Sequence, residues 1–188
     1  MNGLWAAAQR AIESNDQSDG SVWFEVGSYC GRSTALLAGV LAIAGKGILI
    51  AVDPMEGNLS KITHWGLNGL LDSNELISMG STFEKFSATM AKIDTGNVTL
   101  VQKRFTDVEI KHPVSLVFID GLHDYESVKA DWEHVKPHLT NGATVAFHDY
   151  FQWEGVTKLV DQVIHAGEFV QGSVYTAESL FSFAYQKP

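Results

Sequence analysis

Residues 24–34 read "FEVGSYCGRST". An apolar, β-branched run, "SVWFEV" (21–26), leads into this stretch, and a run of helical periodicity, "RSTALLAGVLAIA" (32–44), follows it. The segment therefore reads as strand, glycine turn and helix in succession. Gly27 and Gly31 allow close approach to the backbone, and the start of the helix offers free N–H groups. The spacing is Gly-x-x-x-Gly behind an acid, Glu25, and not the Gly-x-Gly-x-x-Gly that receives a pyrophosphate. A carboxylate there repels pyrophosphate and welcomes a cation.

The same rhythm continues outward. Strand-like runs at "GILIAV" (47–52), "NVTLVQ" (97–102), "VSLVFI" (114–119) and "ATVAF" (143–147) alternate with helical stretches at "STFEKFSATMAKI" (81–93), "YESVKADWEHVKPHL" (125–139) and "EGVTKLVDQVIHA" (154–166). This alternation predicts an α/β fold with a doubly wound, mostly parallel sheet. The end, "FVQGSVYTAESLFSFAYQK" (169–187), holds two strand-like runs with no helix between them, which predicts a C-terminal antiparallel hairpin and brings the strands to seven. In the stretch 125–139 Val128, Trp132 and Val135 recur at core spacing. Asp131 and Glu133 beside them are expected as solvated or paired charges, His134 and His138 as solvated, and Asp124 as the helix cap. Cys30 is expected as a small packed side chain without chemistry.

The length of 188 residues fits a single domain, 1–188, with a helical N-terminal segment over 1–20. Residues 54–80 exceed ordinary loop length, so they are expected to form a lid or substrate loop, with His64 and Trp65 packed or in contact with the acceptor. Thirteen basic against 22 acidic residues give a net charge of −9, which argues against nucleic acid and anionic membranes as partners. The longest apolar run, "ALLAGVLAIAG" (35–45), is too short to span a bilayer. One cysteine, Cys30, and a start without a signal-peptide pattern make a reducing cytoplasm the simplest compartment. A homo-oligomer is left open.

Ligands of open α/β sheets sit beyond the carboxyl ends of the strands, so the strand ends carry the functional reading. Asp53, in "AVDP" after the second strand, is placed as the acidic partner of a ribose. Ribose together with positive charge points to S-adenosylmethionine. Two further strand ends carry "FIDGLHDY" (118–125) and "FHDY" (147–150).

Together "FEVGSYCGRST", "AVDP", "FIDGLHDYESVKADWEHVKPHLTNGATVAFHDY" and the closing hairpin resemble the class I S-adenosylmethionine-dependent methyltransferases over roughly residues 20–188. The likeness is strongest to the small subgroup of macrolide-sugar and aminocoumarin O-methyltransferases and cephalosporin-hydroxylase-like proteins. It implies a Rossmann-like fold, with the methionine end of S-adenosyl-L-methionine held by Glu25, Gly27, Ser28, Gly31 and Ser33 and the ribose by Asp53. Relatives usually carry a small Gly-Asp/Ser-Ser-like turn after the third strand; here "QKRFT" (102–106) stands there, with Arg104 as the expected adenine-side contact. The resemblance makes the fourth and fifth strands neighbours, so Asp120, His148 and Asp149 are expected to bind a divalent metal, Mg²⁺ or Mn²⁺, where two carboxylates alone would repel. In relatives the His148 position is usually a carboxylate. His123 lies where catechol-type relatives carry a lysine base, so His123 and Asp120 are the expected catalytic pair, His123 as proton acceptor. The implied activity is O-methylation of a small hydroxylated acceptor of sugar or phenol type. Two alternatives stay open: a non-catalytic adenosyl- or nucleotide-binding module, and a nicotinamide-dependent oxidoreductase, for which the third glycine is missing.

Overall fold

Runs of Val, Ile, Leu and Phe buried on both faces pair best as parallel strands covered by helices. The computed structural model, which describes residues 2–14, 20–56 and 82–187, has that arrangement. Its strands are β1 (Val22–Val26), β2 (Leu49–Val52), β3 (Val98–Val101), β4 (Val114–Ile119), β5 (Leu139–Phe147), β6 (Tyr175–Ala177) and β7 (Leu180–Ala184). They form one sheet in the order β3-β2-β1-β4-β5-β7-β6. The first five are parallel, and β7 runs antiparallel to both β5 and β6. This is the expected doubly wound sheet with its C-terminal hairpin. Residues 57–80 of the expected lid, with His64 and Trp65, lie outside the described residues.

Each face is covered by helices whose apolar stripe matches the sheet. On one side α1 (Asn2–Ser14) and α2 (Arg32–Ala44) bury Leu4, Ala7, Leu37 and Leu41 against Trp23, Leu116 and Phe118. Beside α2, α3 (Phe83–Ile93) sets Phe86 against Ala51 and Met55. On the other side α4 (Tyr125–Val135) and α5 (Glu154–Ala166) bury Val128, Trp132, Val135 and Val160 against Phe24, Val117 and Phe147. Asp124 caps α4, accepting a 3.0 Å bond from the Ser127 N–H. Among the described residues no helix is long and apolar enough to cross a membrane.

Two element boundaries depart from the sequence pattern. β5 begins at Leu139, because the Gly142 N–H donates to the Tyr185 carbonyl at 2.8 Å, with Gly142 at φ +81°, and carries the backbone through an Asn-Gly pair. α4 ends at Val135, four residues early, where Pro137 ends regular helix pairing and the chain tightens into a 3₁₀ turn over Lys136–His138.

Register fixes the functional edge. Val26 pairs with both Val52 and Ile119, Val52 with Val101, and Ile119 with Phe147. Gly27, Asp53, Asp120 and His148 therefore leave the sheet in one row. Each still donates its N–H to the neighbouring strand end: Gly27 to Val52 (2.9 Å), Asp53 to Val101 (3.2 Å), Asp120 to Val26 (2.9 Å) and His148 to Ile119 (3.0 Å). One glycine and three polar residues, at the ends of four strands, are thus held by backbone hydrogen bonds, a rigid base for a site.

Candidate active site

A cavity of about 910 Å³ opens along this row of strand ends. Its β1 side is the acid-glycine loop. Gly27 and Gly31 have φ of +86° and +83°, a region that strains any residue with a Cβ. A Cβ on Gly27 would lie 2.3 Å from the Asp120 carbonyl oxygen, so this glycine admits the neighbouring strand end as well as the turn. Ser28, Ser33 and Asp53 line the cavity with Gly27. Both oxygens of Asp53 accept backbone bonds, from the Tyr29 N–H at 2.8 Å and the Met55 N–H at 2.7 Å. Asp53 thereby ties the glycine loop to the end of β2 while facing the cavity.

Glu25 is fully buried and accepts a hydrogen bond from the Thr34 hydroxyl. Burial pushes its carboxyl up to about 7, held back by the hydroxyls of Ser33, Thr34 and Ser28 and assisted by the nearby Asp120 charge. The folded state therefore keeps this proton at pH values where the unfolded chain has lost it. The favourable contribution is complete below about pH 4.5 and is lost as the pH rises through about 7. Glu25→Gln removes that dependence. Denaturant titration of the ligand-free protein should show the variant gaining on the wild type across this window, by roughly 3 kcal/mol at most. Parallel pH profiles would contradict the assignment.

At the β4 and β5 ends the structure brings together all four expected residues. His123 Nε2 lies 2.9 Å from Asp149 Oδ2 and 3.7 Å from Asp120 Oδ1. His148 Nδ1 lies 3.2 Å from Asp120 Oδ1 and 2.9 Å from Asp149 Oδ1. For His123, burial lowers the imidazole pKa, but the two carboxylates outweigh it and raise it to about 9. The same carboxylates raise His148 to about 10, against burial. Asp149, although burial opposes ionisation, is driven well below the ordinary carboxylate range by the two imidazoles. One ligand atom each from Asp120, His123 and Asp149 falls within 4.8 Å of the others, a spacing that suits a cation. His123, expected as the proton acceptor, thus belongs to the compact ligand group, while His148 reaches the same two carboxylates from the other side.

The local fold explains why these side chains meet. Asp149 has φ +60°, a conformation Asp tolerates better than most residues, and its carbonyl accepts the N–H groups of Gln152 and Trp153. Trp153, the cap residue of α5, stacks on His123 with ring centroids 5.4 Å apart and 20° between planes. Gly155 permits this, since a Cβ there would lie 2.4 Å from the His123 carbonyl oxygen.

Two sequence expectations are corrected. His134 is not simply solvated: its Nε2 is 2.9 Å from the Val108 carbonyl oxygen, and its ring meets Phe105 edge-on at 5.1 Å. Asp131 is not a surface charge either. It is only 9% exposed and lines the cavity, and burial, with a contribution from Asp124, raises its carboxyl to about 7. Helical spacing carried the available signal, since Ser127, Asp131 and His134 share one stripe beside the apolar one. Glu133 matches its expectation, exposed and 3.7 Å from Lys129. Arg104 lines the cavity on the β3 side.

Comparison with known proteins agrees with this geometry. A family described as methyltransferase domain matches residues 24–150. The O-methyltransferase NovP superposes with a TM-score of 0.72 at 16% identity, covering 99% of this chain and 79% of that one. CalS11, a TDP-rhamnose 3'-O-methyltransferase of calicheamicin biosynthesis, gives 0.65 at 16% identity over 98% and 77%. An rRNA methylase from Streptococcus thermophilus gives 0.65 at 14% identity over 97% and 95%. At such identities the likeness speaks for the fold, and the family match covers well over half of the chain. With its acid-glycine loop, its strand order and its closing hairpin, the chain belongs to the methyltransferase-domain family, among the class I S-adenosylmethionine-dependent methyltransferases.

Proposed function

We propose that the protein O-methylates a small hydroxylated acceptor, of sugar or phenol type, with a divalent cation held at Asp120, Asp149 and His123. The observation that carries this reading is the convergence of those three ligand atoms within 4.8 Å at the edge of the cavity. The residues suit such an ion: two carboxylates that would otherwise repel, and an imidazole whose orientation Trp153 fixes by stacking. A bound cation would supply acidification of the acceptor hydroxyl.

The chain's own groups do the rest. Ser28, Ser33 and the backbone around Gly27 hold the methionine end of S-adenosylmethionine, with Glu25, buried behind the loop and outside the cavity lining, and the left-handed Gly31 shaping the turn; Asp53 holds the ribose, and Arg104 lies on the adenine side. In the cation-free protein the carboxylates keep both imidazoles protonated, so neither accepts a proton until the carboxylate charge is taken up elsewhere. His148 is the more exposed of the two, at 38% of its side chain against 16% for His123, which Trp153 covers. The likeness to NovP and CalS11 supports an oxygen acceptor. The net charge of −9 favours a small acceptor over RNA, the substrate named for the Streptococcus thermophilus relative.

The test is turnover of S-adenosylmethionine with a panel of sugar and phenol acceptors. Excess EDTA should abolish it, and Mg²⁺ or Mn²⁺ should restore it. Full activity in EDTA would overturn the cation's role, and methylation of RNA alone would overturn the acceptor class.

A further inference from the structure

The backbone that holds Asp53 is strained at two points. Its carboxylate accepts the N–H groups of Tyr29 and Met55, and both of these donors stand in the left-handed region, at φ +46° and +58°. Neither is a glycine, so each conformation costs free energy and persists only where its surroundings leave no alternative. Tyr29 sits between Gly27 and Gly31, which are left-handed as well, and the Gly31 N–H only returns to the loop's own Ser28 carbonyl at 2.8 Å. A loop of this kind needs a constraint from outside.

α3 supplies it. Phe86 and Met90 lie under Gly31, where an added Cβ would come within 3.1 Å of Phe86 Cδ2 and 3.0 Å of Met90 Cε. Thr89, on the same face of the helix, donates its hydroxyl to the Cys30 carbonyl at 2.8 Å. That hydroxyl is also 2.9 Å from the Lys85 carbonyl one turn back, and its single proton serves one carbonyl at a time. The bond to Cys30 is therefore an extra tie to the loop, over and above the pairing within the helix. At the start of α3 the Thr82 N–H donates to the Met55 carbonyl at 3.2 Å, and the Thr82 hydroxyl meets Met55 Sδ at 3.3 Å. One helix thus grips both segments whose N–H groups hold Asp53.

We propose that Thr89 is a positioning residue for cofactor binding: by holding the Cys30 carbonyl it keeps the glycine loop in the strained shape that turns the Tyr29 N–H onto Asp53. The inference rests on the S-adenosylmethionine reading above. Thr89 is not among the residues that line the cavity, so its effect passes through the loop. Without its bond Tyr29 relaxes toward an ordinary φ, Asp53 loses one of its two donors, and only a fraction of the molecules keep the loop ready for the cofactor. The apparent affinity falls by that fraction.

The experiment compares Thr89→Val, which keeps the shape and removes the donor, with Thr89→Ser, which keeps the donor. Calorimetry with S-adenosylhomocysteine should show Thr89→Val about 10-fold weaker than the wild type and Thr89→Ser within about 2-fold of it. Thr89→Ala, with the better helix former, should be as weak as Thr89→Val, which separates the lost bond from any weakening of the helix. A second readout needs no cofactor. Cys30 is the only cysteine and lies half-buried in the cavity lining, so its alkylation by iodoacetamide reports the state of the loop. In the ligand-free protein Thr89→Val should label about 5-fold or more faster than the wild type, and Thr89→Ser at the wild-type rate. Wild-type affinity in Thr89→Val overturns the proposal, as does a Thr89→Ser variant as weak as Thr89→Val, or one labelling rate for all three proteins. Failure of the wild type to bind S-adenosylhomocysteine at all would instead overturn the cofactor reading, and the labelling rates would still decide whether Thr89 holds the loop.

Discussion

Asp149→Asn is expected to lower the rate of methyl transfer by about 10²- to 10³-fold while leaving S-adenosylhomocysteine affinity unchanged. The substitution preserves shape and tolerates the φ of +60°, so the turn into α5 should survive. What it removes is the charge that the whole cluster shares. Asp149 Oδ2 meets His123 and Asp149 Oδ1 meets His148, each at 2.9 Å, and Asp120 alone is left to face both imidazoles. Both histidines should then titrate lower than the values of about 9 and about 10 that two carboxylates impose. NMR titration of the imidazole protons reads this directly and does not depend on the identity of the acceptor. The sign also matters for stability. A histidine with a raised folded pKa stabilises fully below about pH 6.5 and loses that contribution as the pH rises through about 9 to 10. Asp149→Asn should therefore flatten the alkaline fall in stability. Unchanged histidine titration would show that the pairs do not form in solution, and unchanged turnover would reduce the cluster to scaffold.

Much of this site was legible because its chemistry sits at strand ends. Apolar runs that give way to several charged residues mark where a buried strand leaves the core, so "DGLHD" and "HDY" already marked one edge of one sheet. The helices bounded by glycine were equally clear: α2 lies between Gly31 and Gly45, both left-handed, and α5 ends at the left-handed Gly167. The end of α4 was less clear, since Pro137 allowed the helical pattern to run on while the backbone had already tightened. Asp131 was legible only in part: its spacing from Ser127 and His134 put it on one stripe beside Val128 and Trp132, but its burial is a tertiary outcome that this spacing does not fix. Which of the two imidazoles Trp153 covers was likewise beyond the sequence, because its stacking on His123 is a tertiary contact.

Gly27→Ala is expected to weaken S-adenosylhomocysteine binding by more than about 10²-fold, and the reason is backbone geometry rather than a lost contact. At φ +86° any Cβ is strained, at a cost on the order of 1–2 kcal/mol. Here the Cβ would also meet the Asp120 carbonyl oxygen at 2.3 Å and the Gly121 Cα at 2.8 Å. Those are backbone atoms, and no rotamer can move them aside. The Gly27 N–H is held by Val52 and the Asp120 N–H by Val26, each at 2.9 Å, so relief requires one strand end to leave its ladder. Either displacement reaches the cavity lining: the loop carries Tyr29, whose N–H is bonded to Asp53, and both residues line the cavity. Gly45→Ala supplies the control. Gly45 also has a left-handed φ, +68°, but a Cβ there has nothing within 4 Å, so its substitution should cost about 1 kcal/mol of stability and leave binding unchanged. Calorimetry and denaturant unfolding of the two variants separate strain from crowding. If Gly27→Ala bound S-adenosylhomocysteine as tightly as Gly45→Ala does, the close approach of Asp120 to the glycine loop could not be what shapes the cofactor side of the cavity.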